Sequence, residues 1–537
     1  MVTAKYFLSV ATVSIGASFQ FYNFGVVNPI QTIVEKWIND TYASRSPSLA
    51  MSPLTLTAVW SLVASSISVG AFTGSLLTHY LADRLGRRNG LLLNGVVNVV
   101  AALMELGAKP LGSPEVLVLG RLLLGANMGI SSGLVPIYLT EISPVRFRGA
   151  AATAHQLAVA FGDWFSLLLA LPGVLGSEST WPLAFAFAGL PALLLCVLLP
   201  CLPESPRFLM ISRGSRSDAL RAVQRLVGHD QSRKDMQLLY REAAIACRTS
   251  EKGLSSMFTT RHLRTPLLIS FLVMTAQQFT GASAIFAYST DIFIQAKLST
   301  EAARYATLAI GICYFLFVIP SAYLIEKVGR RRMLLFQLVG CLLGLLCLMA
   351  AVQLQNAYAY WWTSYASVGA LLGYMAIYGL GSPIPWLIAS ELFEQKHRAA
   401  AVSLSTFLSW LWSFLIGVAY LPFQKSVGAV WSFVPFVVVL VVSTVAMAVL
   451  LPETSNKTTE EIVSEFRGRA RSISRTVSYP VLAVRRRIAT ATDMAKLVEE
   501  EQQDDSAAAE GPAPSGAVEK DQFLKAPSKK YGSVSFE

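Results

Sequence analysis

Charged residues are scarce in this chain of 537 residues. Asp, Glu, Lys and Arg together make up 14% of the sequence, and hydrophobic residues make up 53%. Soluble domains carry about 25% charged residues, so this composition excludes an ordinary soluble enzyme. It also excludes disorder for everything except the polar carboxyl-terminal tail, because a chain this apolar can bury a large surface.

Cysteine is rare too, with six residues in the chain. Cys247 lies in a charged stretch and the other five lie in apolar runs, so we expect free thiols and no disulfide framework. The sequence holds no metal-ligand spacing, no nucleophile elbow and no P-loop. We therefore predict a protein that is not an enzyme and needs no metal or cofactor.

The sequence is instead rich in apolar windows that are long enough to cross a bilayer, which takes about 20 residues per helix. The first window begins at Tyr6 and is too long for the apolar region of a signal peptide, so we interpret it as a transmembrane helix. The windows predict an all-α membrane protein with twelve transmembrane helices, near residues 6–30, 57–81, 91–109, 114–139, 150–173, 182–202, 266–293, 303–325, 333–354, 361–389, 400–423 and 429–451.

Basic residues are distributed unevenly among the predicted loops. The net charge is +11, and residues 207–264 hold twelve Lys or Arg residues against five Asp or Glu residues. Arginines also follow the second and eighth predicted helices, whereas the loops on the opposite side carry few basic residues. Because basic loops stay cytoplasmic, we expect both termini in the cytoplasm, and the basic balance needs no nucleic-acid partner.

A glycosylation sequon, Asn39-Asp40-Thr41, falls in the first predicted loop on the non-cytoplasmic side. Glycosylation of Asn39 requires passage through the secretory route. The sequon therefore favours the plasma membrane over internal membranes. The sequence does not indicate the oligomeric state.

Three pairs of short motifs recur in the same order in the two halves of the chain. Each pair follows an equivalent helix, and duplicated halves around a central site are typical of membrane transporters. We predict six-helix halves at 1–206 and 265–466, a cytoplasmic loop with short helices at 207–264, and a disordered tail at 467–537. The matched motifs are Asp83–Arg88 with Glu326–Arg331, Glu141 and Arg148 with Glu391 and Arg398, and Pro203-Glu204-Ser205 with Pro452-Glu453-Thr454.

With these motifs the chain resembles the facilitative glucose transporters of animals, in the sugar porter branch of the major facilitator superfamily. The resemblance runs from about residue 6 to 466. It implies the major facilitator fold, a twelve-helix bundle that alternates between outward-open and inward-open states. Further motifs that carry it are Pro136-Ile137-Tyr138, Glu141-Ile142-Ser143-Pro144, Pro206-Arg207, Gln277-Gln278 and Pro383-Ile384-Pro385-Trp386.

The paired arginines and glutamates at the cytoplasmic helix ends are predicted to form gate salt bridges. Such pairs can join the two halves when the cavity faces outward, and they must break when it faces inward. The alternative, positive-inside anchoring, accounts for the arginines but not for the matched glutamates. The predicted gate residues are Arg87, Arg88, Glu141, Arg148, Glu204, Glu326, Arg330, Arg331, Glu391, Arg398 and Glu453.

Two prolines interrupt the tenth predicted helix. Pro383 and Pro385 remove backbone hydrogen bonds, and unwound backbone at membrane depth is tolerated where it lines a cavity. We interpret the run as a hinge at the binding site, with a packing kink as the alternative. Arg121 within the fourth predicted helix is either functional or a structural pair with a polar neighbour.

The resemblance also implies a set of substrate-binding residues. A sugar needs amides or hydroxyls for its OH groups and an apolar wall for its CH face. Several matched positions depart from the glucose-carrier pattern, with Ser or Tyr in place of Asn or Glu. These departures leave fructose, another hexose or a different small polar solute open as substrate. The implied binding residues are Gln156, Gln277, Gln278, Ser283, Tyr314, Tyr378, Trp386 and Trp410.

Asp163 lies in the middle of the fifth predicted helix, on the same face as Gln156. The matching family position lines the sugar cavity and is normally apolar. An ionisable residue there is a functional hypothesis. Asp163 could accept hydrogen bonds from a polyol, exchange a proton or balance a cation, or it could be a neutral carboxyl bonded to a neighbour.

The most direct prediction is a uniporter for a hexose or similar solute, because Asn23 occupies the usual proton-coupling position and cannot titrate. Two alternatives remain. One is a proton-coupled sugar or polyol transporter that uses Asp163. The other is a non-transporting nutrient sensor that signals through the Ser-rich tail.

Overall fold

The computed structural model of this protein is helical along nearly all of the chain that it describes. The described residues are 3–45, 52–144, 147–228, 261–358, 360–393, 395–428 and 430–453, with isolated residues between 232 and 258. The predicted tail and most of residues 229–260 therefore lie outside the described part. So does Cys247, while the other five cysteines are free thiols.

Twelve helical segments follow the predicted windows, and four of them are divided. We number them α1 (Ala4–Gly25 and Val27–Arg45), α2 (Pro53–Arg84), α3 (Arg87–Ala108), α4 (Pro114–Ile142), α5 (Arg148–Leu169), α6 (Trp181–Ala186 and Gly189–Leu198), α7 (Arg261–Gln278 and Ala282–Gln295), α8 (Thr300–Val328), α9 (Arg330–Tyr358), α10 (Trp361–Gly381 and Ile384–Glu391), α11 (Gln395–Val427) and α12 (Val434–Leu450). Two shorter helices, Pro206–Ile211 and Arg216–Val227, follow α6.

Ten of these helices are long and apolar enough to cross a membrane, and the two segments of α1 form an eleventh span, bent by 57°. The twelfth is α5, which has 22 residues but carries His155, Gln156 and Asp163 along its length. These polar side chains lower its average hydropathy. Helix α5, which contributes Asp163 to the interior of the bundle, is therefore not among these eleven spans.

Helices α1 and α7 differ from the continuous windows that the sequence predicts. Helix α1 bends at Val26 and continues to Arg45, so Asn39 lies on a helix and not in the predicted loop. Helix α7 is interrupted between Gln278 and Ala282, where Gly281 adopts a φ of +91°. Apolar windows report average composition, so they cannot show where a helix bends.

Glycines allow α2 and α4 to approach closely. A Cβ atom on any of four of them would overlap backbone atoms of the opposite helix. Small residues spaced by four are a common device for packing transmembrane helices. The four positions are Gly70, Gly74, Gly125 and Gly129.

Two of the helix pairs along which the halves of the bundle meet are α2–α11 and α5–α8. Between α2 and α11, the hydroxyls of Ser68 and Ser413 are 3.1 Å apart, and Ser403 Oγ donates to the Ser75 carbonyl at 2.7 Å. Between α5 and α8, the rings of Trp164 and Phe315 stack with centroids 5.8 Å apart. The α2–α11 pair also brings the Phe72 ring within 5.7 Å of the Phe407 ring, so both interfaces contain aromatic contacts.

Candidate functional site

Gln277 is part of a buried polar chain that links α7, α9 and α10. Its Nε2 donates to the Tyr378 hydroxyl at 3.0 Å, and its Oε1 accepts from Gln337 Nε2 at 2.9 Å. Gly381 lies directly against the Gln337 side chain, where a Cβ atom would overlap it. The sequence analysis did not single out Gln337, although it is an isolated Gln in an apolar helix.

Gln278 points the other way, towards α11. Its Nε2 donates to Ser409 Oγ at 2.8 Å, and its Oε1 accepts from Ser283 Oγ at 2.7 Å. The side chain stays half-buried, whereas Gln277 is buried. The two serines that replace family Asn residues therefore orient this amide.

Aromatic rings form one wall beside these amides. The Tyr314 and Tyr378 rings lie 5.7 Å apart, and Phe286 meets Tyr314 edge-on at 5.1 Å. Tyr374 stacks on Tyr378 at 6.2 Å and donates its hydroxyl to the Thr280 carbonyl at 2.9 Å. The wall is thus anchored to the break in α7.

Asp163 of α5 faces this aromatic wall from the other half of the bundle. It is 8% exposed, and its Oδ1 is enclosed without a hydrogen-bond partner. It lies close enough to Tyr314 and Tyr378 to act on both electrostatically. The Tyr314 hydroxyl is also within hydrogen-bonding reach of Gln156, so amide, phenol and carboxylate lie together.

The two predicted tryptophans occupy different environments. Trp410 of α11 is buried against α1, with its ring centroid 6.0 Å from that of Phe21 and 6.4 Å from that of Phe24. Its indole Nε1 is buried without a hydrogen-bond partner. Trp386 is half-buried in the second segment of α10.

Helix α10 breaks at the predicted proline run. Its first segment ends at Gly381 and the second begins at Ile384. Pro383 lies between the segments, and Pro385 lies in the first turn of the second one, where a missing N–H is harmless. A hinge motion at these prolines stays a prediction.

Three of the predicted gate residues in the first half, Arg87, Glu141 and Glu204, form one compact cluster. Arg87 Nε lies 2.9 Å from Glu141 Oε2. Glu204 Oε1 accepts from the backbone N–H groups of Arg87 at 3.1 Å and Arg88 at 2.9 Å. Gly86 has a φ of +91° and leaves room for the Glu204 carboxylate, which therefore caps the start of α3.

The second half repeats this arrangement. Arg330 Nη2 lies 3.3 Å from Glu391 Oε1. Glu453 Oε1 accepts from the backbone N–H groups of Arg330 at 2.9 Å and Arg331 at 3.4 Å. Gly329, with a φ of +99°, takes the place of Gly86. The sequence repeat is therefore also a repeat in space.

Each of these ion pairs joins helices of the same half. A role for these charges in joining the two halves stays a prediction. Glu326 is exposed, and no ion pair is recorded for it among the described residues. The side chains of Arg148 and Arg398 lie outside the described part.

A cavity opens beside these clusters. We call this end of the bundle, with the α2–α3 and α8–α9 loops, the arginine end. The cavity is small, with a volume of about 40 Å³, and lies between α2, α4 and α11. Its lining includes Thr78, His79, Asp83, Ile137, Ser403 and Thr406.

The opposite end, which carries Asn39 and which we call the sequon end, is closed by contacts between the halves. Asn28 Nδ2 of α1 donates to the Phe286 carbonyl at 2.7 Å and to Ser289 Oγ at 2.8 Å in α7. Lys425 Nζ of α11 donates to Thr57 Oγ1 of α2 at 2.7 Å. These contacts hold the two halves together at the sequon end.

Comparison with known proteins identifies many relatives. The family model for "Sugar (and other) transporter" matches residues 9–466. Facilitated glucose transporter member 1 of Gallus gallus is 35% identical over 467 residues, which cover 87% of this chain and 94% of the relative. Facilitated glucose transporter member 4 of Homo sapiens is 36% identical over 472 residues, covering 87% of this chain and 91% of the relative.

Solved structures share the fold. The proton:xylose symporter XylE bound to 6-bromo-6-deoxy-D-glucose matches with a TM-score of 0.70 and 20% identity, over 86% of this chain and 99% of that one. The inward open conformation of XylE from E. coli matches with a TM-score of 0.68 and 21% identity, over the same shares. At this identity the match establishes the twelve-helix architecture and nothing further.

Proposed function

This chain belongs to the sugar transporter family, and on that premise we propose that it carries a hexose or a similar small polar solute across a membrane by facilitated diffusion. It is an integral, multi-pass membrane protein of the major facilitator fold and not an enzyme.

The main support for this proposal is the set of hydrogen-bonded polar side chains inside an apolar bundle. Two adjacent amides, Gln277 and Gln278, reach three other helices from the break in α7. Gln278 remains half-buried and can exchange its bonds to serine for bonds to a solute hydroxyl. The tyrosine wall beside it offers the apolar surface that a sugar ring needs.

The two ends of the bundle support an alternating-access cycle. The sequon end is closed through Asn28, and the arginine end holds the cavity. The charge clusters tie together helices within each half, so each half can move as a unit. We infer that the second state opens the sequon end and closes the arginine end.

Uniport is favoured over proton coupling by the surroundings of Asn23. Its side-chain Nδ2 donates to the backbone carbonyl of Gln20 at 3.1 Å. Its backbone carbonyl accepts from Arg121 Nη2 at 3.3 Å. An amide cannot bind and release a proton at physiological pH. We propose that transport proceeds without an ion gradient. We also propose that the protein lies in the plasma membrane with both termini on the cytoplasmic side.

Counterflow in proteoliposomes tests this function. We expect vesicles preloaded with one unlabelled hexose to take up the same labelled hexose, at a rate that a protonophore leaves unchanged. Gln278→Ala should raise the KM, because the site loses a hydrogen-bonding amide. Gln224→Ala, on the short helix Arg216–Val227, is the matched control.

Two results would contradict the proposal. Uptake that stops when the proton gradient collapses would establish coupling and make Asp163 the first candidate for the proton site. The absence of exchange for glucose, fructose, galactose and a polyol, with folded protein confirmed, would favour a sensor.

A further inference from the structure

Asp163 is a buried acid without a counter-charge. Among the residues that the structure describes, no Lys or Arg is close enough to act on it electrostatically. Arg121, a fully buried arginine, donates instead to the carbonyls of Val63, Ala64 and Asn23. An enclosed, unpaired carboxyl group is costly to ionise, so it stays protonated unless a cationic ligand completes its surroundings.

The neighbours of Asp163 suit a cation better than a neutral hydroxyl. Tyr314 and Tyr378 are close enough to interact with it electrostatically, and an aromatic ring attracts an ammonium group that lies over its face. Oδ1 accepts no hydrogen bond from the described residues, so a bond from a ligand N–H does not compete with an existing one.

The remaining groups suit a sugar. Gln156 lies two turns before Asp163 on α5, about 10 Å along the axis, and Tyr314 is near both. Gln278 faces the same interior from α7, with a bond to Ser283 at its Oε1. A ligand that fits this set carries hydroxyls at one side and a positive charge at the other.

We propose that the preferred substrate is an amino sugar, a monosaccharide with a protonated amine that pairs with Asp163. This inference rests on the proposed transport function and specifies its substrate class. A neutral hexose fills the same space but leaves the carboxylate without a partner. Because charge-assisted hydrogen bonds are about twice as strong as neutral ones, the amine provides the discrimination.

The test compares two sugars that differ in one group. Glucosamine carries an ammonium group where glucose carries a hydroxyl. In counterflow with purified wild-type protein, we expect the KM for glucosamine to be lower than that for glucose by about tenfold. Competition by unlabelled glucosamine against labelled glucose gives the same comparison without a second radiolabel.

Variants at position 163 separate charge from shape. Asp163→Asn keeps the size of the side chain and removes its charge, so the KM for glucosamine should rise to that for glucose. Asp163→Glu keeps the charge and should retain part of the preference. Asp218→Asn, on an exposed turn of the short helix Arg216–Val227, is the control for loss of one negative charge elsewhere.

Results that contradict the amino-sugar proposal differ from results that contradict the proposed transport function. Equal KM values for both sugars in the wild type would overturn the amino-sugar proposal and leave hexose transport intact. Equal loss of glucose and glucosamine exchange in Asp163→Asn would also overturn it, because the carboxyl would then act on structure and not on charge. If Asp163→Asn does not fold, the wild-type comparison still decides. Exchange of neither sugar would contradict the transport function itself.

Discussion

Arg121 shows how a single charged side chain can organise the interior of the first half. Its Nε donates to the Val63 carbonyl at 2.9 Å, and its Nη2 donates to the carbonyls of Ala64 and Asn23 at 3.3 Å. Its guanidinium also lies 5.4 Å from the centre of the Phe185 ring. The side chain thus joins α1, α2 and α6 to α4, close to the bend in α1.

Glu105 is the acidic neighbour of this arginine. It is fully buried in α3, its carboxylate oxygens have no hydrogen-bond partner, and it acts on Arg121 electrostatically. The polar neighbour that the sequence analysis left unspecified is therefore Glu105. The three backbone hydrogen bonds of Arg121 and this acidic neighbour favour the structural reading.

We predict that Arg121→Met destabilises the protein by about 3 kcal/mol or more, because it removes three backbone hydrogen bonds and leaves Glu105 uncompensated. Thermal unfolding in detergent measures the effect. Glu105→Gln alone should cost less, and the double variant should be less unstable than the sum of the two. Additive effects would show that the two residues do not interact. Arg221→Met, at an exposed position, is the control.

At the scale of elements, the bent helices meet each other. The second segment of α1 and the second segment of α7 join through Asn28, whose Oδ1 also accepts from the Thr290 N–H at 3.2 Å. Both helices are interrupted on the inner side of this contact, at Val26 and at Gly281. A short segment beyond a break can swing with little disturbance to the rest of its helix, so this contact is suited to open and close.

We predict that Asn28→Ala shifts the bundle towards opening at the sequon end. Three hydrogen bonds between the halves are lost, each contributing about 1 kcal/mol. The distance between spin labels at Asp40 and Thr300, exposed on opposite halves, should lengthen in a larger fraction of molecules. Asn89→Ala, on the exposed start of α3, should leave the distribution unchanged. An unchanged distribution in Asn28→Ala itself would mean that other contacts hold this end closed.

The whole molecule consists of two equivalent halves with an asymmetric interior. Glu204 and Glu453 cap equivalent helices in the same way, with a glycine of positive φ at each site. Asp163 of the first half, by contrast, faces the tyrosines of the second half. The repeated features lie at equivalent helix starts in the two halves, and the unrepeated ones lie in the candidate binding site.

For the molecule in its membrane, we predict that a carboxyl-terminal epitope tag is detected only after permeabilisation of cells. A tag inserted at Gly112, between α3 and α4, should be detected on intact cells. The physical reason is the excess of basic residues at the arginine end, which keeps that end cytoplasmic. Detection of the carboxyl-terminal tag on intact cells would reverse the orientation. Loss of a mass shift in Asn39→Gln would report glycosylation at the sequon end.

The amino-acid sequence by itself determined the helical membrane class, the twelve spans, the duplication and the family. These properties follow from local composition and from short motifs, which are contiguous in the chain. The break in α10 was predicted for the same reason, because Pro383 and Pro385 act on their own backbone. Many of the predicted site residues also lie together, although their roles in binding and gating remain predictions.

Only the tertiary structure decided which residues are neighbours across helices. Gln337, Glu105 and Asn28 were not singled out in the sequence, because an isolated polar residue in an apolar window does not reveal its partner. The bends in α1 and α7 depend on packing and on the φ of Gly281, neither of which appears in average hydropathy. The separation of the charge clusters into two halves is likewise a property of one conformation, and a single sequence must encode at least two.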